Sequence, residues 1–547
     1  MAQKKTATVL NALTIGALVT LVTGLAYLMA RSVIYLSLSG VWYEKGLGFA
    51  LLAAEIFILI HGAGYSFQLL RVSRKATATQ PPPALPDVLP PVAVVVSAYK
   101  EPLDVVEKTL ISFYNLRYPN KQLYLLDDTR YEPSASHSEA DQQAYRAKVA
   151  ALVKKVGVGL FRRKWHGAKA GMLNDFLDLA AGRMRPDFEF TGVQNETGPA
   201  EFKYLVVFDA DQTPFPNFLD ELVAQMEAEP DLAFVQTPQY YTNFTHNRVA
   251  RASGLQQAVF YEYICEGKGS QDAMFCCGTN VIFRRAALEA VGGIEETSVT
   301  EDFATSFKLH AAGWRSAYSS KAQAFGLGPE DLGGYLKQQT RWALGTIGML
   351  RILLSKFWRR PWALTPAQWS EYLLSSTYYF IGWAFFILVL CPIVYLLLDV
   401  PSYFASPHIF LLFFLPYVTI TLLMFFWTLR QRNYTPKDII LGQLLVSVAF
   451  PVYMKASLYA LINKKTSFVV TPKGSSHALP LTALWAQLGL AGLNIVAIVW
   501  GVHRLMYEPV LTTGILVNIF WCLYHFIMLS SVLYLNNPEE PLKEEQA

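Results

Sequence analysis

The chain has 547 residues, of which 53% are hydrophobic and only 16% charged, with a formal net charge of +4. A soluble domain carries about 25% charged residues, so the composition points to a membrane protein and away from a purely soluble enzyme. The net charge is too small, and Lys and Arg too dispersed, for a nucleic-acid binder.

The first apolar run, behind Lys4 and Lys5, covers 10–36 and is longer than a signal-peptide core needs, so it predicts a retained membrane helix. Five further runs reach the roughly 20 apolar residues that cross a bilayer: 47–70, 371–398, 406–428, 482–503 and 509–534. Basic residues flank them at Arg71, Arg74 and Lys75, at Arg430 and Arg432, and at Lys464 and Lys465. By the positive-inside rule these place both termini and the long middle segment in the cytosol of a cell whose inner (plasma) membrane holds the six spans. Glu55 and His61, two turns apart on the second span, predict either a polar pore lining or a buried polar pair in a helix interface.

The middle segment is built differently. A stiff linker, Gln80-Pro81-Pro82-Pro83, leads into apolar runs that alternate with helical patterns. Pro91–Ala98, Leu123–Leu126 and Tyr204–Phe208 each predict a buried parallel strand that ends in polar or acidic residues. In such α/β arrangements ligands bind beyond the carboxyl ends of the strands. The polar stretch 183–200 predicts a surface loop, and 436–465, apolar but broken by Pro451 and Lys455, predicts one interfacial amphipathic helix. The implied organisation is an N-terminal membrane region over 1–75, a cytosolic α/β domain over 76–330 and interfacial helices over 331–365. Two spans follow over 366–430, an interfacial helix and loop over 431–480, and two spans with a short tail over 481–547. The five cysteines, at 265, 276, 277, 391 and 522, have neither zinc-site spacing nor the even count of a disulfide framework.

The chemistry sits at the strand ends. Asp209 and Asp211 follow an apolar strand at i, i+2, where both carboxylates can approach one hard cation such as Mg²⁺ or Mn²⁺. Asp127-Asp128 ends an earlier strand and Tyr99-Lys100-Glu101-Pro102 the first. Thr300-Glu301-Asp302 follows a Gly-Gly turn, and Gln338-Gln339-Thr340-Arg341-Trp342 opens a helical pattern expected to run into the membrane.

This order of Asp, DxD, TED and QxxRW resembles the cellulose, chitin and hyaluronan synthase group of processive family 2 glycosyltransferases. His166-Gly167-Ala168-Lys169-Ala170-Gly171-Met172-Leu173-Asn174 is similar to the HxxKAGNLN string of cellulose synthases. Val235–Gln239 resembles their VQTPQ segment, and Phe275–Thr279 their FFCGS string. Phe468–Gly474 resembles the FxVTxKG gating loop of bacterial cellulose synthases, which chitin and hyaluronan synthases generally lack. The resemblance covers roughly residues 90–480 and implies an α/β GT-A glycosyltransferase domain inserted between transmembrane helices.

It further implies an inverting enzyme that polymerises glucose from UDP-glucose, passes a cellulose-like β-1,4 glucan through its own spans, and uses Mg²⁺ or Mn²⁺. Curdlan-type β-1,3 or mixed-linkage synthesis, and a UDP-N-acetylhexosamine donor, stay open. Tyr99, Glu101, Asp127 and Lys169 would hold the uridine. Asp209 and Asp211 would act through the metal on the diphosphate, with Gln338 and Arg341 beside it. Asp302, next to Glu301, would be the general base. Trp342, Cys277 and Gly278 would line the acceptor site, and Phe468, Val470, Thr471 and Lys473 would belong to the gating loop. Partners would be a UDP-sugar, the growing polysaccharide and the bilayer; a periplasmic accessory subunit stays open. The polar tail after the last span is too short for a cyclic-di-GMP-sensing barrel, so no such built-in control is expected. Met172 stands where Asn is usual, Thr129 where Gly is common, and Lys100 where Asn follows the Tyr. A passive channel, or a transferase acting on a lipid carrier, is disfavoured by the acidic constellation and by QxxRW respectively.

Overall fold

The computed structural model describes residues 2–37, 40–77, 83–133, 138–193, 196, 198–403, 407–462, 477–508 and 512–537. Eleven strands are β1 (Val92–Ala98), β2 (Lys121–Asp127), β3 (Gly159–Arg162), β4 (Glu189–Thr191), β5 (Tyr204–Asp209), β6 (Thr213–Pro214), β7 (Leu232–Gln236), β8 (Gln239–Tyr241), β9 (Val281–Arg284), β10 (Arg315–Tyr318) and β11 (Ala324–Gly326). Eight form one sheet in the order β10-β7-β9-β5-β1-β2-β3-β4, and β6-β11-β8 form a small second sheet.

All three expected strands form, and β1 runs parallel to both β2 and β5. The reason is visible in β1. Its β-branched residues favour a pleated strand, and alternate side chains go to opposite faces. Val92, Val94 and Val96 pack with Leu110, Phe113 and Phe208 on one side. Ala93 and Val95 pack with Phe161, Phe176 and Phe283 on the other. Burial on both faces explains why the strand reads as a continuous apolar run. Only β9 and β4 run against the sheet, β9 between β5 and β7, and β4 on the edge beside β3.

Strand β4 corrects the expectation of a loop across 183–200. Phe190 pairs with Phe161 in the ladder, and Phe188 meets the Phe161 ring edge-on at 5.2 Å. Two aromatics reaching the core therefore order a segment whose polar composition hides them.

Among the described residues, six helices are long and apolar enough to cross a membrane: Asn11–Leu36, Trp42–Ser73, Pro366–Leu398, His408–Gln431, Leu481–Tyr507 and Thr513–Leu535. These coincide with the six expected runs. Glu55 pairs with Arg31 at 2.7 Å and accepts from the Tyr27 hydroxyl at 2.7 Å. His61 instead meets the carbonyls of Phe57 and Leu374. The two polar groups of the second span thus serve separate helix interfaces rather than each other.

Two further expectations are corrected. The region 436–465 holds two helices, Pro436–Val448 and Phe450–Leu461, bent by 45°. The break falls at Ala449, where Pro451 starts a new helix at its second position, a place its missing N–H costs nothing. Both helices pack against the rest of the protein: a Cβ on Gly442 would meet Leu255 at 2.8 Å, and one on Gly382 would meet the Phe450 carbonyl at 2.8 Å. The helix carrying Gln338–Trp342, Leu332–Arg359, ends before the third candidate span, which starts at Pro366, instead of continuing into it. A short turn at Pro361–Ala363 follows, and Thr365 and Gln368 cap the next helix reciprocally.

The α/β domain is fastened to the spans by buried charge. Glu371, at the head of the third span, accepts from Gln68 and Arg71 at 2.6 Å each, and its other oxygen lies 3.3 Å from Lys268 of the α/β domain. Lys268 also donates to Ser375 at 2.7 Å. Gly267 lets the domain approach this closely, since a Cβ there would fall 2.0 Å from Gln68 Oε1.

Candidate active site

The carboxyl ends of β1, β2, β5 and β7 face one edge, and the loop that enters the reversed β9 returns to the same edge. Asp209 closes β5 and its N–H donates to Thr279 Oγ1 at 2.9 Å, so the strand end is stitched to that loop. Gln236, fully buried at the end of β7, accepts from the Cys277 N–H at 2.8 Å and donates to the Thr279 carbonyl at 2.8 Å. The loop 276–280 is therefore held from both neighbouring strands.

Lys169 lies in the first turn of the helix Ala168–Ala180 and forms an ion pair with Asp209. Its Nζ also donates to the Gly278 carbonyl at 2.7 Å. Burial works against its charge, but the Asp209 carboxylate outweighs it and holds the ammonium above its ordinary range. Lys169, expected beside the uridine, thus stands at the Asp209 end. The cation beside Asp127 is Arg162, whose Nε donates to Asp127 Oδ2 at 2.8 Å. Nothing in the sequence set Arg162 apart, because its partner lies on another strand.

Asp211 is buried and accepts from the Leu327 N–H at 3.3 Å. Asp209, by contrast, is 44% exposed in its side chain while paired with Lys169.

Glu301 and Asp302 open the helix Glu301–Ala311. Asp302 Oδ1 accepts from the Phe303 N–H at 2.7 Å. A helix N-terminus favours the charged carboxylate, but burial, then neighbouring Glu301, prevails and pushes Asp302 up to about 7. Gly278 faces it: the residue has φ +81°, and a Cβ would sit 3.1 Å from Asp302 Oδ2. Only glycine takes this left-handed conformation without strain and lets the loop approach so closely. Lys169, Cys276, Gly278, Glu301 and Asp302 line one small cavity whose other wall is the apolar side chains of Leu173, Val207, Phe283 and Ile294. Cys277 is half-buried and its thiol is raised well above the usual range, by a hydrogen bond with Cys265 and by burial, so it stays protonated and unreactive.

The helix Leu332–Arg359 brings Arg341 towards this cavity, where its charge acts on both Glu301 and Asp302. Gly345, one turn on, makes the approach possible, because a Cβ there would lie 2.3 Å from Thr300 Cγ2. Gln338 hydrogen-bonds Tyr241, and Trp342 is half-buried.

At the far end of the edge, the Tyr99 N–H donates to Glu101 Oε2 at 2.5 Å. Lys100 between them has φ 59°, a conformation that Asn adopts more readily, which accounts for the residue usual there. Thr129 Oγ1 lies buried beside Asp127, and Arg130 Nε and Arg146 Nε lie buried over the Trp165 and Tyr131 rings, each with no hydrogen-bond partner among the described residues. Buried donors of this kind are costly unless a ligand meets them. Met172 is fully buried against the sheet, so that departure from the HxxKAGNLN string falls in the core and outside the site. Asn174 instead pins the turn before the TED residues, through Ile294 N and O at 2.8 and 2.9 Å. Phe468, Val470, Thr471 and Lys473 lie outside the described residues.

Sequence comparison agrees with this architecture. Residues 204–534 match glycosyl transferase family group 2, and residues 93–292 match glycosyl transferase family 2. The chain belongs to this family, with a GT-A catalytic domain between membrane spans. It is 26% identical over 523 residues to the UDP-forming cellulose synthase catalytic subunit of Pseudomonas fluorescens (strain SBW25), covering 92% of this chain and 64% of that protein. It is 31% identical over 318 residues to the corresponding subunit of Xanthomonas axonopodis pv. citri (strain 306), covering 56% of this chain and 38% of that one. Cellulose synthase 2 of Novacetimonas hansenii is 26% identical over 480 residues, covering 85% of this chain and 27% of the relative. The chain thus spans less than two thirds of the length of these relatives. A solved mannosyltransferase of Pyrobaculum calidifontis, in complex with GDP-Man and Mn²⁺, aligns at 17% identity and TM-score 0.48, over 75% of this chain and 99% of that one.

Proposed function

We propose that this protein is an inverting, processive glycosyltransferase that polymerises glucose from UDP-glucose into a β-1,4 glucan and passes it through its own spans. The observation that carries this reading is the cluster in which Lys169 joins Asp209 to the Gly278 carbonyl while Gly278 faces Asp302. The kinship with UDP-forming cellulose synthase subunits supports the donor and the linkage. The basic residues at one end of the spans support an inner-membrane protein with a cytosolic catalytic domain.

In-line displacement at an anomeric carbon needs a base on the acceptor side and positive charge on the leaving side. Asp302 takes the proton of the acceptor hydroxyl. Arg341 and Lys169 face the departing diphosphate. Tyr99, Glu101, Asp127 and the buried donors around Thr129 bind the nucleoside, and Trp342 offers a flat face to the acceptor sugar.

Asp209 and Asp211 suit a divalent cation: they are hard oxygen donors at one strand end, and Asp209 is partly exposed. No group of three His, Cys, Asp or Glu that could hold a metal occurs among the described residues, so the remaining ligands would be diphosphate oxygens and water, as Mg²⁺ prefers. Once bound, the ion would offset the charge that develops on the leaving diphosphate.

The test is turnover by the purified protein in detergent with UDP-glucose and Mg²⁺ or Mn²⁺, followed by linkage-specific digestion. Product cleared only by a β-1,4-glucanase is expected. Product cleared only by a β-1,3-glucanase overturns the linkage, and turnover confined to UDP-N-acetylglucosamine overturns the donor.

A further inference from the structure

We infer that His310 is a positioning residue, which ties the loop on the acceptor side of the cavity to the head of the third span through one directed chain of buried hydrogen bonds. The functional part of this inference rests on the glycosyltransferase reading above; the chain of bonds does not.

His310 ends the helix that Glu301 and Asp302 begin, and it is 2% exposed. Its Nδ1 lies 2.8 Å from the Tyr372 hydroxyl, and its Nε2 2.9 Å from Ser316 Oγ. Ser316 Oγ in turn lies 2.7 Å from the Met274 carbonyl. A carbonyl can only accept, so the single hydroxyl proton of Ser316 is committed to Met274. Ser316 must then accept from His310, which places the imidazole proton on Nε2. The Nδ1 lone pair is left to accept from the Tyr372 O–H. Every proton in the chain is thereby assigned, from Tyr372 through His310 and Ser316 to Met274. Burial depresses His310 to about 3 and keeps the ring neutral, as this pattern requires.

The chain ends where the site begins. Met274 is two residues before Cys276, whose N–H donates to Ser306 Oγ at 2.7 Å, and Ser306 donates to the Asp302 carbonyl at 2.8 Å. Phe303 completes the arrangement, with its ring edge-on to Phe275 at 4.9 Å and to Tyr372 at 5.1 Å. One helix thus grips the loop at Cys276 and again at Met274, and meets Tyr372 beside the buried Glu371–Lys268 pair. Neither His310, Ser316 nor Tyr372 lines the cavity. Loosening this chain should displace the acceptor hydroxyl and leave donor binding intact, so that water intercepts the sugar.

Tyr372→Phe, Ser316→Ala and His310→Gln test this in the full-length protein in detergent. Removing one such bond is expected to raise UDP released per sugar incorporated about fivefold, with the donor KM changed by less than about twofold. ¹⁵N-histidine spectra give an independent readout. One ring signal, absent in His310→Gln, should show a bare Nδ1 and a protonated Nε2, stay neutral at about pH 5, and shift in Tyr372→Phe. Folded variants that keep the wild-type ratio of UDP to sugar overturn the positioning role. A proton on Nδ1, or titration near 6.5, overturns the bond assignment. Wild-type protein that turns over no UDP-sugar overturns the glycosyltransferase reading, and the spectra then decide the hydrogen-bond chain alone.

Discussion

Asp302 is pulled two ways, by a helix N-terminus that favours its charge and by burial that opposes it, and burial wins. A general base must be ionised. Its ionised fraction falls about tenfold for each pH unit below its pKa, so with saturating donor the transfer rate should fall as pH drops below about 7. Asp302→Asn should lower transfer by about 10²–10⁴-fold while UDP-sugar binding, measured by calorimetry, persists. Gly278→Ala adds a methyl group 3.1 Å from Asp302 Oδ2 and strains a backbone at φ +81°, and should lower transfer by about tenfold with little change in donor KM. The carboxylates of this site were legible in the sequence because each follows an apolar strand in a fixed order. Arg162 and His310 were not, because their meaning comes from Asp127 and Tyr372, which lie 35 and 62 positions away. The string at 166–174 likewise gave the position of Met172 and not that its side chain points into the core.

Elements were legible where one physical signal dominated. Burial on both faces announced β1, β2 and β5, and length without charge announced the spans. Strand β4 depends on a tertiary partner, Phe161, and escaped notice, whereas Pro451 marked the break near Ala449 but not the two helices on either side of it. Two predictions belong to elements. Gly345→Val should push the helix Leu332–Arg359 off Thr300, carry Arg341 away from the cavity, and raise the donor KM as well as lower the rate. The helix Glu301–Ala311 should also show pH-dependent stability through His310. Its folded pKa, about 3, lies below the unfolded value of about 6.5, so the unfolded chain takes up the proton first. The stabilisation is complete above about 6.5 and is lost progressively towards about 3, by about 1.4 kcal/mol per pH unit. Thermal unfolding in detergent should show the gap between wild type and His310→Gln narrowing from pH 7.5 to about 5.5.

For the whole molecule, the junction between domain and membrane rests on Glu371. Removing one member of a buried ion pair leaves its partners uncompensated and costs about 3–5 kcal/mol, whereas replacing both by apolar groups is milder. Glu371→Ala should therefore lower the detergent melting temperature far more than Glu371→Leu combined with Lys268→Met and Arg71→Met. This junction was invisible in the sequence, since it joins residues 68, 71, 268 and 371 across three segments. The reversal of β9 has a different consequence. Because β9 runs against β5 and β7, the loop 274–280 enters and leaves at the edge where Asp209 lies, and it is gripped by fixed groups: Ser316 at Met274, Gln236 at Cys277 and Asp209 at Thr279. A protein engineer can treat those seven residues as a cartridge, exchanging them for the same stretch of a relative while the strands that carry Asp127 and Asp209 keep their places.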